Sequence, residues 1–221
     1  SAQRNFLTFS AYSTMFPYTS AGPIVRYTDI ETQLKQRTIN ISRFGIGAEL
    51  FVKGLAKKVL LADNLSVLYS SICGHPQMSV FTSWLGILAY TMQLYFDFSG
   101  YSDMAIGLGK MLGFDFNKNF DYPYISTSVS EFWRRWHISL GSWFRDYIYI
   151  PLGGNRVSTL KHIRNILVVW ALTGLWHGAS WNFVLWGVYY GLFLLLEKFV
   201  LQKYLKKIPS WLCTVYTMLV V

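Results

Sequence analysis

The chain has 221 residues, 52% hydrophobic, 18% aromatic and only 14% charged, with 20 Lys and Arg against 11 Asp and Glu for a formal charge of +9. A soluble domain carries about 25% charged residues, so this composition excludes an ordinary soluble globular protein and points to a membrane. Nucleic acid is excluded as the reason for the basic balance. The cations gather beside apolar segments (Lys53, Lys57, Lys58; Arg156, Lys161, Arg164; Lys198, Lys203, Lys206, Lys207), where the positive-inside bias places them.

Residues 1–30 are aromatic and broken by Pro17 and "AGP" at 21–23, which predicts loop or interfacial backbone; "SAQRNFLTFS" has neither the basic nor the apolar region of a signal peptide. "TDIETQLKQRTIN" (28–40) predicts a helix, with Asp29 and Glu31 near its positive end. Ile46–Tyr69 predicts an amphipathic helix or an oblique short span, since Lys53, Lys57 and Lys58 fall near its middle. Ser79–Phe96 is uncharged and just meets the length of a membrane span. "DFSGYSD" (97–103) is expected to interrupt it, Met104–Leu112 to resume as a half-helix, and 115–127 to form a loop. Ser128 and Glu131 have capping-box spacing and predict a helix to about Tyr149, ended by Pro151 and Gly153-Gly154. Trp211–Val221 reads as part of another span, so with no initiator Met the chain is expected to be the middle of a longer protein.

Asn165–Leu196 contains no Asp, Glu, Lys or Arg across 32 residues, yet His177 sits near its middle. One bilayer crossing needs about 20 residues and two need about 40, so the stretch is too long for one and too short for two. Gly174, Gly178 and Ser180 flank the histidine and predict a break there. Irregular backbone at membrane depth requires surrounding protein or a water-filled cavity. A polar group inside a bilayer tends to mark a site, and imidazole is suited to moving a proton. The same glycines, as Gly174-x-x-x-Gly178 and Gly187-x-x-x-Gly191, also have helix-packing spacing, and His177 is open to a packing role as well.

The second candidate is "EFWRRWHISLGSWFRDY" (131–147). At 100° per residue, Trp133, Trp136, Leu140, Trp143, Phe144 and Tyr147 share one face, Arg134, Arg135 and Arg145 lie elsewhere, and His137 stands at the aromatic margin. An interfacial helix with arginines on lipid phosphates fits this pattern. "GLGKMLG" (107–113) lacks the spacing of a phosphate loop, "GASWN" matches a nucleophile elbow too loosely to make Ser180 a nucleophile, and Cys73 and Cys213 form neither disulfide framework nor metal spacing. No metal site is expected at His137 or His177. His75 and His162 are expected in solvated loops, without a role.

"EFWRRWHISLGSWFRDYIYIPLGGNR" (131–156) and "LTGLWHGASWNFVLWGVYYGL" (172–192) closely resemble the membrane-bound O-acyltransferase (MBOAT) family. "AGPIVRYTDI" (21–30) and "QLYFDFSGYSDMAIGLGKMLGFDFNKNFDYPY" (93–124) extend the likeness over nearly the whole chain, closest to the alginate O-acetyltransferase-like branch. The resemblance implies an all-α integral membrane fold, a bundle with short oblique central helices around a tunnel, of which residues 1–221 form the central part of a single domain without its N- and C-terminal spans.

It further implies a multi-pass protein of the bacterial inner membrane. Such a protein moves an acetyl group from a cytoplasmic donor, acetyl-CoA or another acyl thioester, toward hydroxyls of an extracytoplasmic polysaccharide, with no bound cofactor. His177 matches the family's most constant histidine, implying a general base, and His137 its second position, assisting. Arg134, Arg135, Arg145 and Asn182 become candidate substrate contacts. Membrane lipid and a periplasmic acetyltransferase are the expected partners. D-alanyl transfer to teichoic acid, peptidoglycan O-acetylation, a transporter with a functional intramembrane histidine and a non-catalytic scaffold are the competing readings.

Overall fold

The computed structural model describes residues 5–19 and 21–221, and every regular element among them is helical. It divides into two compact units, Ser1–Asn119 and Phe120–Val221.

In the first unit Phe6–Ser13 (α1) is opened by Asn5, whose side chain accepts from the Thr8 amide at 3.1 Å. A single turn, Phe16–Thr19 (α2), and Tyr27–Lys35 (α3) follow. The expected irregular backbone over residues 1–30 is therefore corrected where these helices form, while residues 21–26, carrying "AGP", are irregular as expected; residues 1–4 and Ser20 lie outside the described residues. The aromatic side chains there pack into a small core. Val25, Ile30, Phe114 and Phe116 are buried under Tyr12, Met15, Tyr18, Leu34 and Ile106, and the Tyr12 hydroxyl donates to the Val25 carbonyl at 2.9 Å. Asp29 opens α3 by accepting from the Arg26 amide at 3.1 Å.

Ile41–Ala56 (α4), a π turn at Lys57–Ala62 and Asp63–Cys73 (α5) run on without leaving helical backbone, since Lys57 and Asp63 at the joins keep right-handed angles. Val80–Met111 (α6) is a single helix of 32 residues, roughly 48 Å long. The interruption expected at 97–103 does not occur. Asp97 is paired with Lys58 at 2.8 Å and Asp103 with Lys57 at 2.6 Å, so both carboxylates are met by cations of the neighbouring rod. Gly100 serves contact rather than a bend: a Cβ there would lie 2.7 Å from the Gly54 carbonyl oxygen, and one on Gly107 2.6 Å from that of Gly47.

The second unit begins with a tight turn at Pro123–Ile125, then Val129–Arg135 (α7) and Ile138–Phe144 (α8). The single helix expected from Ser128 to Tyr149 is broken at His137, which takes left-handed angles, φ 45° and ψ 54°. The aromatic face drawn from an unbroken wheel over 131–147 therefore does not exist as one face. A π turn at Arg145–Tyr149 and the Pro151–Gly154 turns, with Gly153 at φ +96° and Gly154 at φ +56°, lead to Thr159–His177 (α9). Trp181–Leu196 (α10), a π turn at Glu197–Leu201, Gln202–Leu205 (α11) and Ser210–Val220 (α12) complete the chain.

The break expected near His177 is present: α9 ends on that residue and α10 starts after Gly178–Ser180. The two helices return antiparallel with their backbones nearly touching. A Cβ on Gly174 would lie 2.2 Å from the Phe183 carbonyl oxygen, and one on Gly187 2.2 Å from that of Trp170. Small residues at such crossings let helices approach without a side chain between them. Among the described residues one stretch, Trp181–Leu205, is long and apolar enough to cross a membrane.

Gly187→Val should force α9 and α10 apart and cost about 1–3 kcal/mol or more, the range for overpacking a tight contact. Gly45→Ala, at a helical position with no atom within 4 Å of the new Cβ, should instead stabilise by about 0.5–1 kcal/mol. Thermal unfolding of the detergent-solubilised protein checks both; a tolerated Gly187→Val would refute the crossing.

Candidate active site

His137 owes its place to how α7 is held. A helix leaves its first amides without internal partners, and here those of Val129, Ser130 and Glu131 each find one. The Ser128 side chain accepts from the Glu131 amide at 3.0 Å. The Glu197 carboxylate, buried at the end of α10, accepts from the Val129 amide at 2.6 Å, the Ser130 amide at 2.8 Å and the Ser130 hydroxyl at 2.7 Å. Glu131 accepts from the Thr127 amide and hydroxyl at 2.9 and 2.8 Å instead of closing back on Ser128, so the predicted capping box is only half formed. At the other end the Asp121 amide donates to the Arg135 carbonyl at 2.9 Å. Two residues later the chain turns left-handed at His137. That conformation is uncommon for a non-glycine residue and tends to occur at functional sites.

The His137 ring is 6% exposed. Its centroid lies 6.0 Å from that of Trp176, and Trp176 stands 5.0 Å from the ring of His177. Burial pushes the His137 imidazole down from 6.5 to about 4, and His177 pushes the same way. The corner that carries it lies outside the apolar crossing segment Trp181–Leu205. The Ser139 hydroxyl is 3.5 Å from His137 Nδ1.

His177, the last residue of α9, is exposed and packs its ring on Trp186 at 4.9 Å and over Phe183 at 6.1 Å. Trp186 belongs to an aromatic cluster that joins three helices: Trp133 of α7 lies 5.6 Å from Trp186, 4.9 Å from Trp170 and 4.7 Å from Tyr190. The two histidines singled out from sequence thus share one aromatic neighbourhood, built from a chain corner and a helix end.

The other expected contacts divide. Arg135 is committed to protein: it bonds Glu131 at 2.8 Å and the Asp121 carbonyl at 3.1 Å. Arg134 and Arg145 are exposed, Arg145 with only a 3.8 Å approach to Asp146. Asn182 is exposed in the first turn of α10. Among the described residues no group of three His, Cys, Asp or Glu is placed to hold a metal ion.

His162 corrects the sequence expectation. It is buried in α9 rather than solvated in a loop, with the Tyr149 hydroxyl at 2.9 Å and Lys198 Nζ at 3.1 Å from its Nε2. His75 lies exposed in a turn, as expected. Asn165 and Glu197 escaped the sequence reading, although Asn165 opens the uncharged stretch and Glu197 follows it directly. Asn165 is fully buried and pins the glycine turns to α9 through the Leu152 and Gly154 carbonyls, both at 3.0 Å.

A family model described as MBOAT, membrane-bound O-acyltransferase family, matches residues 2–211. A probable alginate O-acetylase of Azotobacter vinelandii is 50% identical over 197 residues, covering 89% of this chain and 40% of that protein. A peptidoglycan O-acetyltransferase of Helicobacter pylori is 38% identical over 222 residues, 95% of this chain and 42% of that protein. A teichoic acid D-alanyltransferase of Bacillus subtilis is 29% identical over 210 residues, 89% of this chain and 52% of that protein. The chain therefore spans about two fifths to one half of the length of these relatives.

His137→Asn should preserve the corner, because Asn tolerates left-handed angles, whereas the β-branched His137→Val should cost about 1–3 kcal/mol. Thermal unfolding of the two variants checks this. Because the folded-state value of His137 lies below that of an unfolded imidazole, the unfolded chain binds more protons between about pH 6.5 and 4. The parent should therefore lose more stability than His137→Asn as pH falls through that window; equal losses would refute the buried neutral ring.

Proposed function

We propose, on the premise that the chain belongs to the membrane-bound O-acyltransferase family, that it carries the reaction centre of an O-acetyltransferase acting on an extracytoplasmic polysaccharide. The observation that supports this most is the pairing of His137 and His177 across Trp176, with one ring buried and the other exposed. In the proposed reaction a sugar hydroxyl attacks the carbonyl carbon of an acyl thioester such as acetyl-CoA. Its proton passes to His177, acting as general base. The tetrahedral intermediate collapses with cleavage of the C–S bond, and the proton goes to the departing thiolate, leaving an ester and a free thiol. His137, neutral by burial, orients the reacting groups or donates to the developing oxyanion.

The order of identities among the relatives favours acetyl transfer over D-alanyl transfer: 50% and 38% for the two named for acetyl transfer, 29% for the D-alanyltransferase. It also favours a polysaccharide such as alginate over peptidoglycan as the acceptor. Arg134 and Arg145 are the cations left for donor phosphates or lipid headgroups, since Arg suits bidentate phosphate contact and both are exposed. Asn182, exposed in the first turn of the helix that follows His177, is assigned to the acceptor. In this reading the whole protein is a multi-pass component of the bacterial inner membrane. Its helices surround a tunnel between donor and acceptor, and a periplasmic acetyltransferase can take the acetyl group onward.

General-base catalysis contributes about 10²–10⁴-fold. Cells whose only full-length copy carries His177→Ala should therefore lose O-acetyl groups from their surface polysaccharide at unchanged protein level. Unchanged acetylation would overturn the proposed role of His177.

A further inference from the structure

We infer that Glu197 is a positioning residue for this reaction: its carboxylate fixes the start of α7 and thereby sets where His137 stands. The inference rests on the proposed role of His137 in transfer and deepens it. Glu197 is 3% exposed and accepts three hydrogen bonds from the first two residues of α7, with Tyr216 of α12 also beside its carboxylate, while Ser128 takes the third amide. α7 has seven residues, roughly 10 Å of helix. A helix so short is not stable alone and takes its position from its attachments.

Val129 and Phe132 of α7 are buried, and the polar attachments of the helix sit at its two ends. Glu197 holds the N-terminal end; the Asp121–Arg135 main-chain bond holds the C-terminal end, two residues before the His137 corner. Between them Trp133 packs 5.6 Å from Trp186, which lies 4.9 Å from His177. Glu197 and Trp186 both continue the same run, α10 and the π turn that follows it. The helix that bears one side of the His177 environment therefore also holds, through Glu197, the element that delivers His137. Loss of the carboxylate frees three donors in a buried place and lets the N-terminal end of α7 move. Displacements of about 1 Å at a reacting centre cost as much as roughly 100-fold in rate.

The experiment uses the full-length protein in membranes, with acetyl-CoA as donor and the cell's own polysaccharide as acceptor. It compares Glu197→Gln, Glu197→Ala, His137→Ala and the double variant Glu197→Ala/His137→Ala, each normalised to folded protein. Glu197→Ala should lower kcat roughly 10- to 100-fold with KM for acetyl-CoA unchanged. Glu197→Gln, which keeps one acceptor oxygen, should fall between it and the parent. The double variant should be no slower than His137→Ala, since a residue acting through His137 has nothing left to position. If the defects multiply, or Glu197→Ala transfers at the parental rate, Glu197 is structural only. If His137→Ala itself transfers at the parental rate, the role of His137 fails first and the inference fails with it. Should Glu197→Ala not fold, Ser130→Ala removes one of the three bonds and serves in the same double-variant comparison.

Discussion

The second unit depends on two helices touching backbone to backbone. Gly174 and Gly187 leave no room for even a methyl group between α9 and α10. At that distance the hairpin can close over only a few residues, Gly178–Ser180, and His177 is left at the end of its helix instead of within it. A histidine inside a helix would present its ring to whichever neighbour packs there. One at a helix end, beside a short irregular link, can face a space. The close crossing also sets Trp170 of α9 against Trp186 and Tyr190 of α10, forming the surface that receives Trp133 from α7. Glycine at the crossing and tryptophan beside it are two parts of one packing solution.

The first unit uses the same device with charge added. Gly54 meets Gly100 and Gly47 meets Gly107 along the antiparallel rods, and Lys57 and Lys58 lie where they reach Asp103 and Asp97. A carboxylate in a long apolar helix argues for a break when read alone, because an unpaired charge is costly away from water. Paired with lysines of a neighbouring rod, and partly exposed, the carboxylates have that cost offset, and α6 continues. The pairing joins residues far apart in sequence, so no local pattern could reveal it.

The same limit explains what was misread in the second unit. Ser128 and Glu131 signal a helix start correctly, but the partner of the first amides is Glu197, far along the chain. Nothing around His137 announces a left-handed turn; the residues on both sides are helix-compatible. The corner comes where α7, anchored at both ends, stops and α8 starts anew. His162 sits in a polar stretch, and only the return of Lys198 and the turn carrying Tyr149 bury it.

By itself the sequence determined the class of protein, the break at His177, the small-residue spacings around Gly174 and Gly187 and the two histidine-bearing motifs. These depend on composition, on the length of an uncharged run and on spacings within a single segment. The tertiary structure decided that His137 and His177 share one aromatic neighbourhood, that Asp121 holds Arg135, that α6 does not break, and that Glu197 begins α7. Each of these follows from a contact between distant segments, where the free energy of burying or pairing a polar group outweighs the local preference of the chain.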